Sequence, residues 1–323
     1  MNIGIVGCGL IGMKRARHLV GHKVTRVADY SREKADALAA EHPGAQVMPT
    51  FKELVASPDV DAVIVATTHD ALARITIAAL DAGKHVLVEK PGGRTPEEIR
   101  GALRKAQETG RVVKAGFNHR FHPALQKAHE IHASGVLGPM MFIRGRYGHG
   151  ARPGYEREWR ADATISGGGE AVDQGVHLID LARWFLGDFA TAVGYTPTYF
   201  WDMKVEDNAF FLLRTQTGQA AWLHASWTEW KNLFSLEIYG RYGKLQIDGL
   251  GGSYGTEKLT YYRMLPEMGP PEVTVWEYPG PDPSWAAEFA NFVAAIEGRA
   301  PVCGGLGDTL AALEIVHQVY AQR

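Results

Sequence analysis

Residues 2–12 read Asn2-Ile3-Gly4-Ile5-Val6-Gly7-Cys8-Gly9-Leu10-Ile11-Gly12, a short apolar strand entering a GxGxxG turn that opens a helix. Each glycine of the motif has its own physical reason. The first makes the tight turn, the second lets a pyrophosphate reach the backbone, and the third lets the helix lie close on the strand. Phosphate would then meet free N–H groups and the positive end of the helix dipole. Alone the motif is weak, but Asp29 ends the next β-branched run, one βαβ step further along the chain. A carboxylate there accepts hydrogen bonds from the adenosine ribose hydroxyls and repels a 2′-phosphate, so NAD is expected in preference to NADP. Gly7, Gly9, Leu10, Ile11, Gly12 and Asp29 form the expected dinucleotide cradle. The plainer alternative is a glycine turn followed by a helix-capping aspartate.

Outward from this turn, residues 1–120 alternate short β-branched runs with helical patterns, as βαβ units around a parallel sheet do. Six strands are expected, at Ile3–Val6, Val24–Ala28, Ala45–Val47, Ala62–Ala66, His85–Val88 and Val112–Gly116. Thr50 with Glu53 and Thr95 with Glu98 are capping boxes, and Pro96 suits a first helical position. After Arg120 the pattern changes. Helices are expected near Pro123–Ser134 and Val172–Leu186, separated by a Gly/Arg/aromatic-rich stretch, Arg144–Gly169. Strands joined by turns such as Gln216-Thr217-Gly218 and Arg241-Tyr242-Gly243 follow from Asp207 to Tyr278, and two amphipathic helices close the chain. The expected domains are 1–120, which binds the dinucleotide, and 121–323, which binds substrate and forms the oligomer.

The composition fits this reading. A chain of 323 residues, 46% hydrophobic and 22% charged, is long enough for two domains of roughly 100–200 residues each. Lys+Arg 34 against Asp+Glu 36 leaves a net charge of −2, without the excess that nucleic acid or an anionic membrane would attract. Cys8 and Cys303 form no CxxC spacing, and no apolar stretch approaches the ~18 residues of a membrane span. A cytoplasmic protein is expected, with neither nucleic acid nor membrane as partner.

In open parallel sheets, ligands bind beyond the carboxyl ends of the strands. Three polar clusters fall there: Thr67-Thr68-His69, Glu89-Lys90-Pro91 and Asn118-His119-Arg120. Thr67, Thr68, His69, Glu89 and Asn118 are therefore expected near the cofactor. Lys90 could stabilise negative charge developing on a substrate oxygen, or be a solvated loop residue. In Gly168-Gly169-Glu170-Ala171-Val172-Asp173-Gln174-Gly175-Val176-His177, a helical conformation puts Asp173 and His177 at i and i+4 on one face. Histidine titrates near neutral pH and can take a proton from an alcohol, while the carboxylate orients the ring or a neighbouring hydroxyl. A helix-start aspartate beside a structural histidine is the other reading. Asp180 could be a further polar ligand or a buried hydrogen-bonding residue. With no HExxH, Cys/His quartet or carboxylate cluster, no metal is expected.

Taken together, these features resemble the Gfo/Idh/MocA family of nicotinamide-dependent oxidoreductases. The likeness rests on the glycine loop with Asp29, Gly83-Lys84-His85-Val86-Leu87-Val88-Glu89-Lys90-Pro91, Arg120-Phe121-x-Pro123, and Gly168-Gly169 followed by Asp173-x-x-x-His177-x-x-Asp180. It implies an α/β protein: a Rossmann domain followed by an α/β domain with a large, mostly antiparallel sheet, whose outer face often mediates dimers or tetramers. It also implies sugar or cyclitol substrates and catalysis by Lys90, Asp173 and His177. Members often carry Thr-Pro-Asn-x-x-His after the fourth strand, where this chain has Thr67-Thr68-His69-Asp70-Ala71-Leu72.

The expected activity is NAD-dependent hydride transfer to or from a secondary alcohol or ketone of a sugar, cyclitol or sugar derivative. The alternatives are an NAD-dependent glycosidase acting by transient sugar oxidation, and a non-catalytic dinucleotide-sensing binding protein. Two readings remain for Arg144, Arg146, Arg152, Arg157 and Arg160. They pair with Glu156, Glu158 and Asp162 in a surface or subunit-contact loop, or they bind an anionic group on the substrate.

Overall fold

A computed structural model describes residues 1–322. The chain begins β1 (Asn2–Val6), α1 (Leu10–Ala16), β2 (Lys23–Ala28), α2 (Arg32–Glu41), β3 (Gln46–Val47), α3 (Phe51–Ala56), β4 (Ala62–Val65), α4 (His69–Asp81), β5 (His85–Val88), α5 (Pro96–Thr109) and β6 (Val113–Ala115). A 3-10 turn at Asn118–Phe121 leads to α6 (Pro123–Ala133), β7 (Met140–Gly148), the short α7 (Ala163–Ser166), a π-helical turn at Ala171–Gly175 and α8 (Val176–Leu186). The rest is β8 (Phe189–Tyr195), β9 (Asn208–Thr215), β10 (Ala220–Ser226), β11 (Leu233–Gly240), β12 (Gly243–Asp248), β13 (Glu257–Arg263), β14 (Glu272–Tyr278), α9 (Ser284–Ile296) and α10 (Leu306–Tyr320).

Two units result. The first comprises Met1–Phe117, Thr164–Gly167 and Trp285–Leu310, and the second Asn118–Ala163, Gly168–Ser284 and the chain from Ala311 onward. A single cut after residue 120 is thus too simple. Phe289, Phe292 and Val293 of α9 pack into one core with Ile3, Ile5, Val27, Ile64 and Leu87, so burial of this apolar stripe returns a late helix to the first unit.

All six strands of the first unit pair in parallel in the order β3-β2-β1-β4-β5-β6, the doubly wound arrangement. The strands match their expected positions to within a residue or so at each end, the third being only two residues long. The threonine half of each capping box forms. The Thr50 and Thr95 hydroxyls accept from the Glu53 and Glu98 backbone N–H groups at 3.3 Å, each worth about 1 kcal/mol.

Arg15 of α1 lies fully inside this unit. Its Nε donates to Glu89 at 2.7 Å and its Nη1 donates to Glu288 of α9, while the Trp285 ring covers the guanidinium at 4.4 Å. Burial opposes the charge on Arg15, but the two carboxylates outweigh it and raise its pKa; burial likewise pushes the Glu288 carboxyl up against the pull of Arg15.

The second sheet runs β14-β13-β12-β11-β7-β10-β9-β8 and is antiparallel except where β7 and β10 run side by side. Its central strand, β7, falls where the sequence shows only a Gly/Arg-rich stretch. The reason is the composition of its two faces. Ile143, Gly145 and Tyr147 are buried and Arg144 and Arg146 exposed, so the alternation is present but a glycine stands where a β-branched residue would announce it. A Cβ on Gly145 would lie 3.1–3.2 Å from Leu223, Leu236 and Leu178, and the glycine admits these leucines. One cross-strand row on the opposite, outer face joins Val193, Leu212, Trp222, Arg144 and Glu237.

Replacing Arg15 with Met would strand two buried carboxylates, and the expected loss is about 3–5 kcal/mol in urea unfolding. A loss below about 1 kcal/mol, the size of a solvent-exposed pair, would show that this cluster does not stabilise the first unit.

Candidate active site

In the first unit the glycine turn has the geometry of a phosphate cradle. Gly7 sits at φ +95°, and a Cβ there would overlap the Ala66 carbonyl; one on Gly12 would overlap the Gly7 carbonyl oxygen. Gly9 differs from both. A Cβ on it would meet nothing within 4 Å, so the space over the helix start lies open to a pyrophosphate. Leu10 is exposed beside it and Ile11 half-buried. Asp29 is tied to this loop: Oδ2 accepts from the Cys8 N–H at 2.6 Å and Oδ1 from the Ser31 N–H at 2.8 Å. Each oxygen keeps acceptor capacity for a ribose hydroxyl. Arg32, near enough in sequence to meet a 2′-phosphate, instead donates to Asp36 at 2.8 Å. The residues present fit a dinucleotide. Burial and the neighbouring Asp29 push the Cys8 thiol up to about 12, which makes it a packing residue rather than a nucleophile.

The other strand-end residues divide. Thr67 and Thr68 lead into α4, with the Thr68 hydroxyl donating to Asp70 at 2.6 Å. His69 is buried, its Nδ1 2.8 Å from the Ser166 carbonyl oxygen, which gives the ring a structural contact. Glu89, expected near the cofactor, has its buried carboxylate engaged by Arg15, and a position holding β5 to α1 accounts for it. Lys90 follows it, half-buried, at a cis Lys90–Pro91 bond. Asn118 belongs to the second unit and is buried there; its Nδ2 donates to the Ser284 hydroxyl at 3.0 Å.

The second unit gathers the other candidates. The Glu206 carboxylate accepts from the backbone N–H groups of Gly169 at 3.0 Å and Ala171 at 3.2 Å, and from the Tyr320 hydroxyl. A Cβ on Gly168 would overlap that hydroxyl, and one on Gly169 the Glu206 carbonyl, so the glycine pair is a requirement of close approach. The segment anchored in this way does not start as the expected α-helix. Asp173 lies in the π-helical turn and His177 in the first turn of α8, so their i, i+4 spacing is not that of a regular helical face. Both are buried.

The ring of His177 stacks on His119, with centroids 3.9 Å apart and planes at 22°. Tyr147 of β7 meets His119 edge-on at 5.1 Å and His177 at 6.3 Å. Tyr254 lies 5.1 Å from Tyr147, and its hydroxyl accepts from Gln174 at 3.2 Å. Burial pushes both tyrosines above their ordinary range, leaving them neutral hydrogen-bonding groups. Asp180 forms a buried, two-point ion pair with Arg120, at 2.6 and 2.8 Å; of its two readings, the structural one holds. Sequence reasoning missed Glu206 and Tyr254, which carry no motif and are identified by what they touch.

The arginine stretch splits in the same way. Arg144 and Arg146 lie on the outer face of the sheet, away from the Tyr147 side, and Arg144 pairs with Glu237 at 2.9 Å. Arg152 pairs with Glu158 and Arg157 lies 3.7 Å from Glu156, as the surface-loop reading has it. Arg160 alone of the five turns inward, its Nε donating to Asp173 Oδ2 at 3.3 Å.

Comparison with known proteins bears on both units. Residues 1–117 match the profile of an oxidoreductase family with an NAD-binding Rossmann fold, and residues 125–246 that of the GFO/IDH/MocA C-terminal domain. The chain is 33% identical over 226 residues to inositol 2-dehydrogenase 2 of Saccharopolyspora erythraea, a match covering 68% of this chain but 64% of that protein. It is 32% identical over 248 residues to 1,5-anhydro-D-fructose reductase of Ensifer adhaerens, covering 75% of this chain and 74% of the relative. A levoglucosan dehydrogenase solved with NADH and L-sorbose shares the fold at a TM-score of 0.87 and 22% identity, over 100% of this chain and 97% of that one. On the glycine loop, the glycine pair with Asp173 and His177, and these matches across both units, the chain belongs to the Gfo/Idh/MocA family of oxidoreductases, with an NAD-binding Rossmann domain.

Proposed function

We propose that the protein is an NAD(H)-dependent dehydrogenase or reductase acting on a secondary alcohol, or the matching ketone, of a sugar, cyclitol or sugar derivative. The observation that carries this reading is the buried His177 imidazole following Asp173 on a turn that Glu206 fixes, in a chain whose first unit holds an open phosphate cradle. Bound NAD supplies the hydride acceptor. His177 takes the hydroxyl proton on an imidazole nitrogen, Lys90 Nζ donates to the substrate oxygen as it gains negative charge, and Asp173 accepts from a substrate hydroxyl or orients the ring. The named relatives act on inositol and on 1,5-anhydro-D-fructose, which supports a polyhydroxylated ring as substrate. Three of the arginines considered for an anionic group are engaged with neighbouring glutamates, which favours a neutral ring.

The protein works in the cytoplasm as a homodimer or homotetramer under this reading. Among the described residues no helix is long and apolar enough to cross a membrane. Support for self-association comes from the outer face of the large sheet, where Val193, Leu212 and Trp222 form an apolar cross-strand row and are each more than half exposed.

A panel of myo-inositol, scyllo-inositol, levoglucosan, glucosides and 1,5-anhydro-D-fructose, followed by NADH absorbance, tests the activity. Stoichiometric gain or loss of NADH is expected. Product without net NADH change would favour the glycosidase, and NADH binding without turnover on any member would favour the sensor. His177→Ala should lose about 10²–10⁴-fold in kcat while still binding NADH, with Lys90→Ala at least as damaging. A near-normal rate in a folded His177 variant would remove it from proton transfer. Asp29→Ala should weaken NAD and narrow the ratio of NAD to NADP use; a wild type that already prefers NADP would refute the assignment of Asp29. Trp222→Arg should reduce the assembly in sedimentation, and an unchanged mass would place the interface elsewhere.

A further inference from the structure

Arg160 stands apart from the other arginines of its segment. It is largely withdrawn from solvent, its Nε donates to Asp173 Oδ2 at 3.3 Å, and its guanidinium rests over the Trp159 ring at 4.5 Å. Glu158 is the other carboxylate beside it, at 3.9 Å. Two neighbouring contacts thus fix the orientation of the fork, the aromatic face on one side and the carboxylate of the π-helical turn on the other.

We propose that Arg160 is a positioning residue for Asp173, holding that carboxylate ionised and aimed, and so setting the pH range in which His177, with a charged Asp173 in place, can accept a proton from the substrate. This rests on the catalytic reading of Asp173 and His177 given above. A guanidinium beside a carboxylate favours its charged form, and a fixed positive charge near two interacting proton acceptors lowers the proton affinity of both together. Tyr155 and Arg160 from the segment after β7, Tyr147 from β7 itself and Tyr254 from the loop after β12 interact with the Asp173 carboxylate, Glu158 lies beside Arg160, and Glu170 and His177 stand three and four positions away along the chain. Of these, Arg160 brings a permanent positive charge into direct contact with Asp173. The tyrosines, pushed upward by burial, carry no charge near neutrality. Burial works against the charge on Arg160, yet Asp173, Tyr155 and Glu158 raise its pKa, so it stays protonated throughout the working range.

The test uses Arg160→Met and Arg160→Lys in the full-length protein, with NAD and the substrate of highest kcat/KM from the panel. In the Met variant kcat/KM should fall about 10²-fold while NADH affinity holds. Removing the positive charge lets Asp173 and His177 bind a proton more readily, so the acid limb of the kcat/KM profile should move to higher pH by about one to three units. The Lys variant keeps the charge without the fork, and its acid limb should stay near that of the wild type with only part of the rate lost. Added guanidinium ion should restore part of the Met variant's rate and not that of His177→Ala.

A second readout needs no substrate. In a double-mutant cycle of Arg160→Met with Asp173→Asn, urea unfolding should show less than additive losses, because either change breaks the same pair. An unmoved acid limb, or additive losses in the cycle, overturns the proposal. If Asp173→Asn turns over at the wild-type rate, it is the catalytic role of Asp173 that fails, and the cycle then decides the pairing by itself.

Discussion

The buried cluster of Arg15, Glu89 and Glu288 is the constraint on which the first unit depends. It joins α1, which carries the glycine cradle, to the end of β5, where Lys90 follows, and to α9, which comes only after the whole of the large sheet in sequence. A guanidinium withdrawn from water is tolerable only with its charge met, and two carboxylates meet it. Gly116 shows how tightly the surroundings close on it, since a Cβ there would lie 2.7 Å from Arg15 and 3.0 Å from Glu89. Apolar side chains would fill such a space at less cost in desolvation. What the ions add is direction: each pairs with a partner on one particular element, which fixes how the three meet. Glu89 is thereby explained without a ligand, and the half-buried lysine after it begins from a fixed backbone position.

In the second unit a carboxylate again sets the geometry, but its partners are backbone N–H groups rather than an arginine. Glu206 binds the amides of Gly169 and Ala171 and receives the Tyr320 hydroxyl. Those contacts require two residues without side chains, and they begin a π-helical turn that displaces Asp173 from the α-helical register. π-helical turns recur at functional sites because the widened turn re-aims a side chain. Here the re-aimed side chain is a carboxylate facing Arg160, one turn before an imidazole stacked on a second imidazole.

The large sheet separates two tasks by the period of two along a strand. On β7, Tyr147 faces the histidines while Arg144 and Arg146 face outward, so neighbouring residues serve opposite sides. The inward side carries Tyr147 beside buried aliphatic residues such as Ile143, Leu223 and Leu236, and the outward side carries ion pairs beside half-exposed apolar residues. The five arginines between Arg144 and Arg160 therefore do not form one basic surface, and of them only Arg160 contacts Asp173.

The sequence by itself determined the parallel sheet and its cradle, because those features are local. A strand, three glycines with distinct steric duties, a helix start and an aspartate one βαβ unit later all fall between Asn2 and Asp29, and capping boxes mark helix starts by contacts from i to i+3. The nearness of Asp173 and His177 along the chain was legible too, but their placement in a π-helical turn and the first turn of α8 was not. Tertiary structure alone decided the rest. Whether Glu89 faces a ligand or an arginine depends on Arg15, 74 positions away; the π-helical turn depends on Glu206, 37 positions from Gly169; and β7 was hidden because Gly145 answers to leucines on other elements. The return of α9 to the first unit rests on core packing between distant segments. Local patterns encode backbone conformation, whereas the partner of a buried charge or the room beside a glycine is set by residues that only folding brings together.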